Sequence, residues 1–558
     1  MRTHEYKMRS LCGIAFVISS AFFLTMQTVF FPLSKRIDFN DSAIYQYIGY
    51  LLCTERVPYV DAFDHKGLYF YFINAVGYFI SPKWGMWPLI WVTMAIIIAV
   101  VYKTAKKFLN SAASFYLTAI IVTGIAAGFW DGDTPDYFAM ALNFIAFYIL
   151  SDYFFYYKLS STQALLVGVL TAGAFWMKQN LIIGTIVVCG CIIIDSFIQK
   201  QFKKSGEYII AFMFGFALAS LPAIGWLYYK NAIHAMIDNY FLFNFKYMDF
   251  HPTTARRMEA FSYFITRPSI LPVVICTLTL LLSMLKNVNP RVNCQNKKMF
   301  VFGVISFIIT IILLVLPGNA YVNYVLSLFP PALLIYISTL KIISTIDSFG
   351  TRIGTVLLIT ACVLIAGLNL RTEYSYLKSF WKEKPQEAEE RAYIIENSDK
   401  DDNIAIISPH YVGLYIAASR DSATRDFYVQ LSHFENLEES LDTDVIFWND
   451  YLNSLRQSKP RMILLDRHYY NNENLNILLR EILDQYIEVG KSTNFRFYVR
   501  ERFEGEHIPA FVSKTTVLED EVLISVPSEM IEAYQNGEIT IDDFMTLFDK
   551  QWENGQQF

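Results

Sequence analysis

Three segments of this chain carry charged and aromatic residues at spacings that could carry chemistry. The first lies within residues 34–80 and includes "DFNDSAIYQYIGYLLCTERVPYVDAFDHKG". The second is "FWDGDTPDYFAM" at 129–140, and the third, 230–268, mixes lysines and arginines with aromatic residues. A carboxylate can take a proton from a hydroxyl group, and Lys or Arg can hold a phosphate that leaves. The combination suits group transfer from a lipid-linked phosphate.

The candidate side chains also have ordinary structural interpretations. Asp131 and Asp133 could cap a helix through their side-chain oxygens. Arg256 and Arg257 could meet lipid headgroups. The functional hypothesis rests on the convergence of two acidic clusters and several cations, among them Lys178 in the tight turn "FWMKQN". Ionisable groups at a membrane edge are functional candidates by default.

The chain lacks the short motifs of other common enzyme classes. It contains no phosphate loop of the Walker type, no HExxH zinc motif and no GxSxG nucleophile elbow. Nucleotide hydrolysis and peptidase chemistry therefore have no support.

The elements that position these residues are membrane helices. The chain is 54% hydrophobic and 17% charged, whereas a soluble protein carries about 25% charged residues. A hydrocarbon core about 30 Å thick needs about 20 helical residues. This criterion predicts a polytopic α-helical membrane protein with about eleven spans, at residues 11–33, 84–102, 111–128, 137–157, 162–177, 180–199, 208–229, 269–285, 299–316, 322–342 and 353–370.

The apolar run 67–80 decides the orientation of every later loop. Its fourteen residues reach only about 21 Å as a helix, too short for a span. If it does not cross, the basic stretch "KTAKK" and the other Lys-rich loops share one side, which the positive-inside rule makes cytoplasmic. The sequence therefore predicts a juxtamembrane helix, a cytoplasmic N-terminus and an extracytoplasmic C-terminus in the plasma (inner) membrane.

The sequence divides into a membrane domain, 1–370, and a soluble domain, 371–558, with an acidic tail. The second part carries a net charge of −16 and the first a net charge of +11. Alternating helix and strand patterns predict a small extracytoplasmic α/β domain that serves acceptor recognition or docking. The predicted strands are 403–408, 426–429, 461–466 and 495–501, and the predicted helices are 385–397, 410–419, 472–489 and 528–552.

The first segment resembles the first outer loop of bacterial GT-C glycosyltransferases of the protein O-mannosyltransferase and aminoarabinose transferase type. Asp41 matches the family's acidic residue, and Tyr45 matches the Tyr four positions on. The stretch 58–61 matches the family's "G-x-P-Y-x-D" turn, and 64–68 matches its acidic–Lys–Pro-Pro-Leu stretch, with Gly67 in place of the first Pro. "WMKQ" resembles the Lys at the outer end of a middle helix, and "GNAYVNYVLSLFPPALL" resembles a late "HYxLPLLPxL" helix.

This resemblance covers residues 10–370 and implies a GT-C-like fold with about eleven membrane helices and a juxtamembrane helix. It implies inverting transfer of a hexosyl or pentosyl group from a polyprenyl-phosphate donor to a glycan, protein or lipid hydroxyl at the outer membrane face. It makes Asp41 the catalytic base and leaves open which of Asp131, Asp133 and Asp136 acts with it. The residues expected to bind substrate are Tyr45, Tyr59, Asp64, His65, Lys66, Lys178, Arg256, Arg257, Tyr321, Asn323 and Tyr324.

Three further expectations complete the sequence interpretation. Asp41, Asp131 and Asp133 could hold Mg²⁺ or Mn²⁺, although a metal is not required by the resemblance. The partners are the bilayer, the lipid-linked donor and the acceptor, with no nucleic acid. The alternatives are a transporter or flippase of lipid-linked glycans, which should show internal repeats and broken helices, and a non-catalytic scaffold.

Overall fold

The structure is a computed structural model in which two parts can be described, a helical bundle and a C-terminal sheet domain. The described residues are 2–37, 41–127, 132–156, 158–248, 254–267, 270, 273, 277, 294–318, 321–343, 385–429, 442–470 and 473–512.

The bundle begins with helices that alternate between long apolar segments and short segments at one end. Their bounds are α1 Arg2–Thr25, α2 Asp41–Cys53, α3 Leu68–Ile80, α4 Met86–Phe108, α5 Ser111–Ala127, α6 Pro135–Tyr156 and α7 Ser161–Phe175. A 3₁₀ turn, Gln179–Ile182, leads into α8 Ile183–Ile198, which is followed by α9 Phe202–Tyr229.

The second half of the bundle contains shorter and irregular helices near the same end. Its bounds are α10 Ile233–Met236, a π-helical segment Ile237–Leu242, α11 Phe243–Met248, α12 Thr254–Thr266, α13 Cys294–Val315, a 3₁₀ segment Val322–Leu328 and α14 Phe329–Ile343.

Six helices in the described ranges are long and apolar enough to cross a membrane. They are Met86–Phe108, Pro135–Tyr156, Gln179–Ile198, Phe202–Tyr229, Asn296–Val315 and Val322–Ile342. Three more predicted spans fall on shorter apolar helices, and the first of these ends at Thr25 rather than at residue 33. Only residues 270, 273 and 277 of the predicted span 269–285 are described, and the predicted span 353–370 lies outside the described residues. A helical membrane bundle is therefore established, but the count of eleven spans is not.

The candidate spans differ in how much of each helix is buried inside the bundle. The windows within Pro135–Tyr156 and Val322–Ile342 are mostly buried, so these helices form the centre. Only 17% of the window in Phe202–Tyr229 is buried, and it exposes large apolar side chains such as Ile210 and Phe214. Such a surface is stable only against lipid or another apolar partner.

Helix α3 begins and ends on the same side of the bundle. At its start, the Gly67 and Tyr69 N–H groups donate to the Met177 and Trp176 carbonyls, at the end of α7. At its end, Pro82 accepts a 2.5 Å hydrogen bond from Gln46 in α2, and the chain turns directly into α4. With 13 residues, α3 is shorter than the about 20 that a span needs. That it lies along the membrane surface stays a prediction.

Two lysine–aspartate pairs lie at the opposite end of the bundle. Lys107, in the last turn of α4, lies 2.7 Å from Asp152, which is about 24 Å along α6 from Asp136. Lys298, near the start of α13, lies 2.7 Å from Asp195 near the end of α8. The helices therefore present lysines at one end and the candidate site residues at the other.

The C-terminal domain is a five-stranded sheet with helices packed on it. The strands are β1 Asn403–Ile407, β2 Asp421–Ser422, β3 Met462–Asp466, β4 Ile487–Lys491 and β5 Phe495–Val499, in the order β2-β1-β3-β5-β4. Strand β1 is parallel to β2 and β3, whereas β5 is antiparallel to β3 and β4. The helices are α15 Pro385–Asn397, α16 Gly413–Ala418, α17 Asp442–Ser458, α18 Arg467–Tyr470 and α19 Glu473–Leu483.

The predicted α/β pattern is correct in outline and wrong in three places. Residues 426–429 form no strand. The second strand is instead the short pair 421–422. The helix predicted at 472–489 ends at Leu483, and its last residues begin β4. The helix Asp442–Ser458 was not predicted. The predicted helix 528–552 and the domain boundary near 370 lie outside the described residues.

Segment 421–429 joins the sheet domain to the short helices of the bundle. Asp421 accepts a 2.6 Å hydrogen bond from Tyr50 and pairs with Arg56 at 2.7 Å. The Ser422 N–H donates to the Tyr47 hydroxyl at 2.8 Å. One continuous apolar cluster extends from the bundle into this domain. The sheet domain is thus fixed on the end of the bundle that carries the candidate residues.

Candidate functional site

A cavity of about 580 Å³ lies between the bundle and the C-terminal domain. Its polar lining comes from the first loop, the turn after α7 and the 3₁₀ segment after α13. Much of its apolar lining comes from Phe175, from the π-helical and α11 region and from the end of α13. The lining residues are Asp41, Ile44, Tyr45, His65, Lys66, Phe175, Lys178, Gln179, Asn180, Phe241, Asn244, Phe245, Leu313, Pro317, Tyr321, Asn323, Tyr324, Pro409, His410 and Tyr428.

Asp41 presents an exposed carboxylate at this cavity from the first turn of α2. Tyr45 lies one turn later on the same helix face and packs edge-on against Phe70. Burial raises the pKa of Tyr45 well above its usual range, so its phenol stays protonated. Within the described part of the chain, Asp41 is the one carboxylate that lines the cavity. A carboxylate in this position can accept a proton from a hydroxyl group.

Asp64, His65 and Lys66 form a buried corner that we call the 64–66 corner. Asp64 accepts hydrogen bonds from the hydroxyls of Tyr71 at 2.8 Å and Tyr428 at 3.3 Å. Burial raises the pKa of Asp64 and lowers the pKa of Lys66, while the charge of each opposes the shift of the other. Two residues of the corner, His65 and Lys66, line the cavity.

The His65 imidazole is neutral in this arrangement. Burial, followed by the charges of Lys66 and Lys178, lowers the pKa of His65 well below its usual range. A neutral ring can accept at Nε2, where Lys66 Nζ lies at 2.5 Å, with the ring proton assigned to Nδ1 facing Asp64 Oδ1 at 3.5 Å. The corner thereby directs an ammonium group at the cavity.

A second cation is held by a buried carboxylate from the other side. Lys178 Nζ lies 3.1 Å from Asp136 Oδ2, which also accepts a 3.1 Å hydrogen bond from Asn323 Nδ2. The ammonium lies 4.0 Å from the centre of the Tyr324 ring, within the range of a cation–π contact. Asp136 itself is buried and does not line the cavity. It orients Lys178.

The other predicted acids are not placed with Asp41. Asp133 is buried and accepts a 3.3 Å hydrogen bond from Asn74 in α3, away from the cavity lining. Asp131 lies outside the described residues. In the described ranges, no three His, Cys, Asp or Glu side chains are grouped so that they could hold a metal ion.

Three predicted binding residues lie elsewhere. Tyr59 is buried behind the 64–66 corner, where its hydroxyl donates to the Lys66 carbonyl at 2.7 Å. Arg257 donates to the Leu316 carbonyl at 3.1 Å, and Arg256 is exposed. None of these residues lines the cavity. Tyr59 supports the corner from behind the lining, whereas the two arginines are outside the lining.

Several lining residues were not predicted. Gln179 and Asn180 directly follow Lys178, so the polar run "KQN" between two apolar spans is a signal for them. Phe241, Asn244 and Phe245 lie in or next to a π-helical segment, a feature often found at functional sites. The three residues from the C-terminal domain have no signal in the sequence, because only the docking of the domain brings them to the cavity.

Solved structures with the same architecture include two of ArnT from Cupriavidus metallidurans. The apo structure is 11% identical, and the structure bound to undecaprenyl phosphate is 12% identical. Each gives a TM-score of 0.57 over 88% of this chain and 98% of that chain. At this identity the likeness establishes the fold, so the expected GT-C fold is confirmed.

Sequence comparison identifies a family for this chain. No curated protein matches the chain. Residues 2–350 match the family model "Competence-induced Ccs4 N", which describes the N-terminal domain of the competence-induced protein Ccs4. This match covers more than half of the chain and includes every lining residue from the bundle. The chain therefore belongs to the Ccs4 N-terminal domain family.

Proposed function

We propose that this protein is a membrane glycosyltransferase that moves a sugar from a polyprenyl-phosphate donor to an acceptor hydroxyl. The observation that carries the proposal is the meeting of Asp41, Lys66 and Lys178 on one cavity. The aromatic wall that includes Phe175 and Phe241 suits the first units of an isoprenoid chain. A shared fold with a protein solved in complex with undecaprenyl phosphate supports this assignment.

The proposed reaction is a single displacement with inversion at the anomeric carbon. Asp41 takes the proton from the acceptor hydroxyl as its oxygen forms the new bond to that carbon. The bond between the anomeric carbon and the phosphate oxygen breaks, and its electron pair leaves with the phosphate. Lys66 and Lys178 stabilise the negative charge that develops there. The inverting outcome follows from the family resemblance.

We further propose that the cavity opens at the outer face of the plasma membrane. The lysine-rich helix ends, represented by Lys107 and Lys298, lie at the far end of the same helices. The positive-inside rule assigns such ends to the cytoplasm. The C-terminal domain would then lie outside the cell membrane.

The test is sugar transfer by variants of Asp41 in membrane vesicles. The donor is the radiolabelled lipid-linked sugar pool extracted from the expressing cells, and vesicles from cells lacking the protein supply acceptor. Loss of a general base should lower the rate about 10²-fold or more in Asp41→Asn and Asp41→Ala. Binding of undecaprenyl phosphate to purified protein should change little, because Lys66 and Lys178 remain.

Asp61→Asn is the matched control. Asp61 is an exposed carboxylate of the same loop, outside the cavity, and it accepts a 2.6 Å hydrogen bond from the Val57 N–H. An Asn side-chain oxygen can still accept this bond, so transfer should remain normal. Near-normal transfer by both Asp41 variants would sink the assignment of the base. Absence of transfer by the wild-type chain would remove the enzyme proposal.

A further inference from the structure

The C-terminal domain supplies one wall of the cavity. Pro409, His410 and Tyr428 line it from this domain, whereas the cations Lys66 and Lys178 line it from the bundle. A domain that only anchored the protein or bound a distant partner would not need to contribute to this lining. The lining residues of the C-terminal domain are therefore candidates for contact with a substrate.

The position of this wall in the sheet favours ligand binding. Pro409 and His410 lie in the loop that leaves β1 through Ser408, and β1 pairs in parallel with β3. In open α/β sheets, ligands bind outside the carboxyl ends of the parallel strands. The part of the C-terminal domain that faces the cavity is thus the carboxyl end of its parallel strands, where α/β sheets bind ligands.

The loop after β1 is fixed by its own hydrogen bonds. The Ser408 hydroxyl donates to Asp466 at the end of β3 and accepts from the His410 N–H at 3.1 Å. The Ser408 carbonyl accepts from the Val429 N–H at 2.9 Å. These contacts tie the loop to β3 and to the segment that carries Tyr428, so the wall is a preformed surface.

The wall is also fixed relative to the 64–66 corner. The Phe63 N–H donates to the Arg425 carbonyl at 3.0 Å, and the Arg425 guanidinium donates to the Tyr59 carbonyl at 3.0 Å. Tyr428 donates to Asp64 at 3.3 Å. Three contacts on one short segment hold the domain against the loop that carries Lys66.

The His410 side chain is exposed in this wall and makes no hydrogen bond or ion pair with the described residues. Its neighbours Pro409 and Tyr428 carry no charge, whereas the phosphate-binding cations lie on the bundle side. An imidazole can both donate and accept a hydrogen bond when neutral. Such a wall offers hydrogen bonds to a hydroxyl-bearing group, whereas the lysines that suit a phosphate lie on the bundle side.

We propose that Pro409, His410 and Tyr428 form the acceptor subsite, in which His410 hydrogen-bonds an uncharged hydroxyl-bearing acceptor beside Asp41. This inference rests on the proposed glycosyltransferase function. It divides the cavity into a carrier side built by the bundle and an acceptor side built by the C-terminal domain. A glycan hydroxyl and a Ser or Thr hydroxyl present the same chemistry to His410.

The test separates acceptor binding from carrier binding in the full-length protein. Transfer is measured in the vesicle assay while the amount of acceptor membrane and the amount of donor are varied separately. His410→Ala should raise the half-saturating amount of acceptor about threefold or more, as expected for one lost hydrogen bond. The half-saturating donor and the Kd for undecaprenyl phosphate should stay at their wild-type values.

Two further variants make the result specific. His410→Gln keeps a donor and an acceptor and should recover part of the acceptor affinity. His507→Ala, an exposed histidine of the same domain that does not line the cavity, should behave as wild type. Protease sensitivity of the labelled product distinguishes a protein acceptor from a glycan, and either product is compatible with the subsite.

Three outcomes would overturn the inference. A wild-type acceptor dependence in His410→Ala would remove His410 from acceptor binding while leaving the proposed function intact. A lower maximal rate with unchanged acceptor dependence would place His410 in proton transfer instead. No transfer by the wild-type chain would overturn the proposed function and the subsite together.

Discussion

Lys178 and Asp136 form an ion pair in which Nζ lies 3.1 Å from Oδ2 and the carboxylate side chain is fully buried. Removing one partner from a buried pair costs about 3–5 kcal/mol, because the remaining charge is left uncompensated. We therefore expect Lys178→Met to lower the Tm of the purified protein. It should also weaken undecaprenyl phosphate binding about tenfold, the scale of one charge-assisted hydrogen bond.

The double variant Asp136→Asn, Lys178→Met distinguishes these two effects. Removing both charges relieves the uncompensated carboxylate, and Asn323 can still hydrogen-bond the amide. The Tm should recover, whereas phosphate binding should stay weak. Recovery of binding together with the Tm would show that Lys178 acts on structure and not on the phosphate.

The pH dependence of phosphate binding should report Lys66. Burial lowers the pKa of this ammonium below its usual range, so it loses its proton at a lower pH than an exposed lysine does. The Kd for undecaprenyl phosphate should therefore rise as the pH increases from 7 to 10, a range in which the charge of the phosphate is nearly constant. Lys66→Arg should flatten this profile, because a guanidinium keeps its proton throughout.

Two further variants complete the Lys66 measurement. Lys66→Met should weaken binding about tenfold at pH 7. Lys83→Met, an exposed lysine after α3 that does not line the cavity, should leave the Kd unchanged. Parallel pH profiles for the wild type and Lys66→Arg would exclude Lys66 as the titrating group.

Gly67 is required by the close approach of two helix ends. Its N–H donates to the Met177 carbonyl at 2.8 Å, and a Cβ at this position would overlap the Trp176 carbonyl. Gly67→Ala should therefore separate α3 from the end of α7, lower the Tm and weaken phosphate binding. Gly225→Ala, in α9 with open space around the position, should be neutral or slightly stabilising. Equal behaviour of the two variants would argue against the close approach.

This contact suits a glycine, and not a proline, at the position where the GT-C pattern that the first loop resembles has its first Pro. A proline has no N–H and could not donate to Met177. The sequence records the substitution but not its cause, because the Trp176 carbonyl lies more than 100 residues away along the chain. By contrast, the length of the apolar run 67–80 was enough to predict a helix shorter than a span, which is what α3 is.

The remaining sequence predictions failed where residues far apart in the chain meet only in the folded protein. Asp136 was grouped with Asp41 by charge, yet its burial against Lys178 and Asn323 makes it a positioning residue. His410 follows an ordinary buried strand, and nothing in the local pattern directs it toward a membrane cavity. Periodicity identifies helices and faces, whereas the docking of segment 421–429 depends on complementary surfaces formed only after both parts fold.

The buried Glu390 should make the C-terminal domain less stable as the pH rises. Burial raises the pKa of Glu390 from an ordinary 4.5 to about 7, opposed by hydrogen bonds from Ser492 and Asn494. Between pH 4.5 and about pH 7, Glu390 is ionised in the unfolded chain but still protonated in the folded chain. The free energy of unfolding therefore falls as the pH rises through this range. The loss reaches about 3 kcal/mol above pH 7.

The variant Glu390→Gln imitates the protonated acid and should remove this dependence. Its Tm should be close to that of the wild type at pH 5 and clearly higher at pH 8, measured by thermal unfolding of the full-length protein. Glu504→Gln, an exposed glutamate of the same domain, should follow the wild-type profile at both values. A constant difference between Glu390→Gln and the wild type across the pH range would contradict the assignment, because only an ionisation of Glu390 itself makes the gap grow with pH.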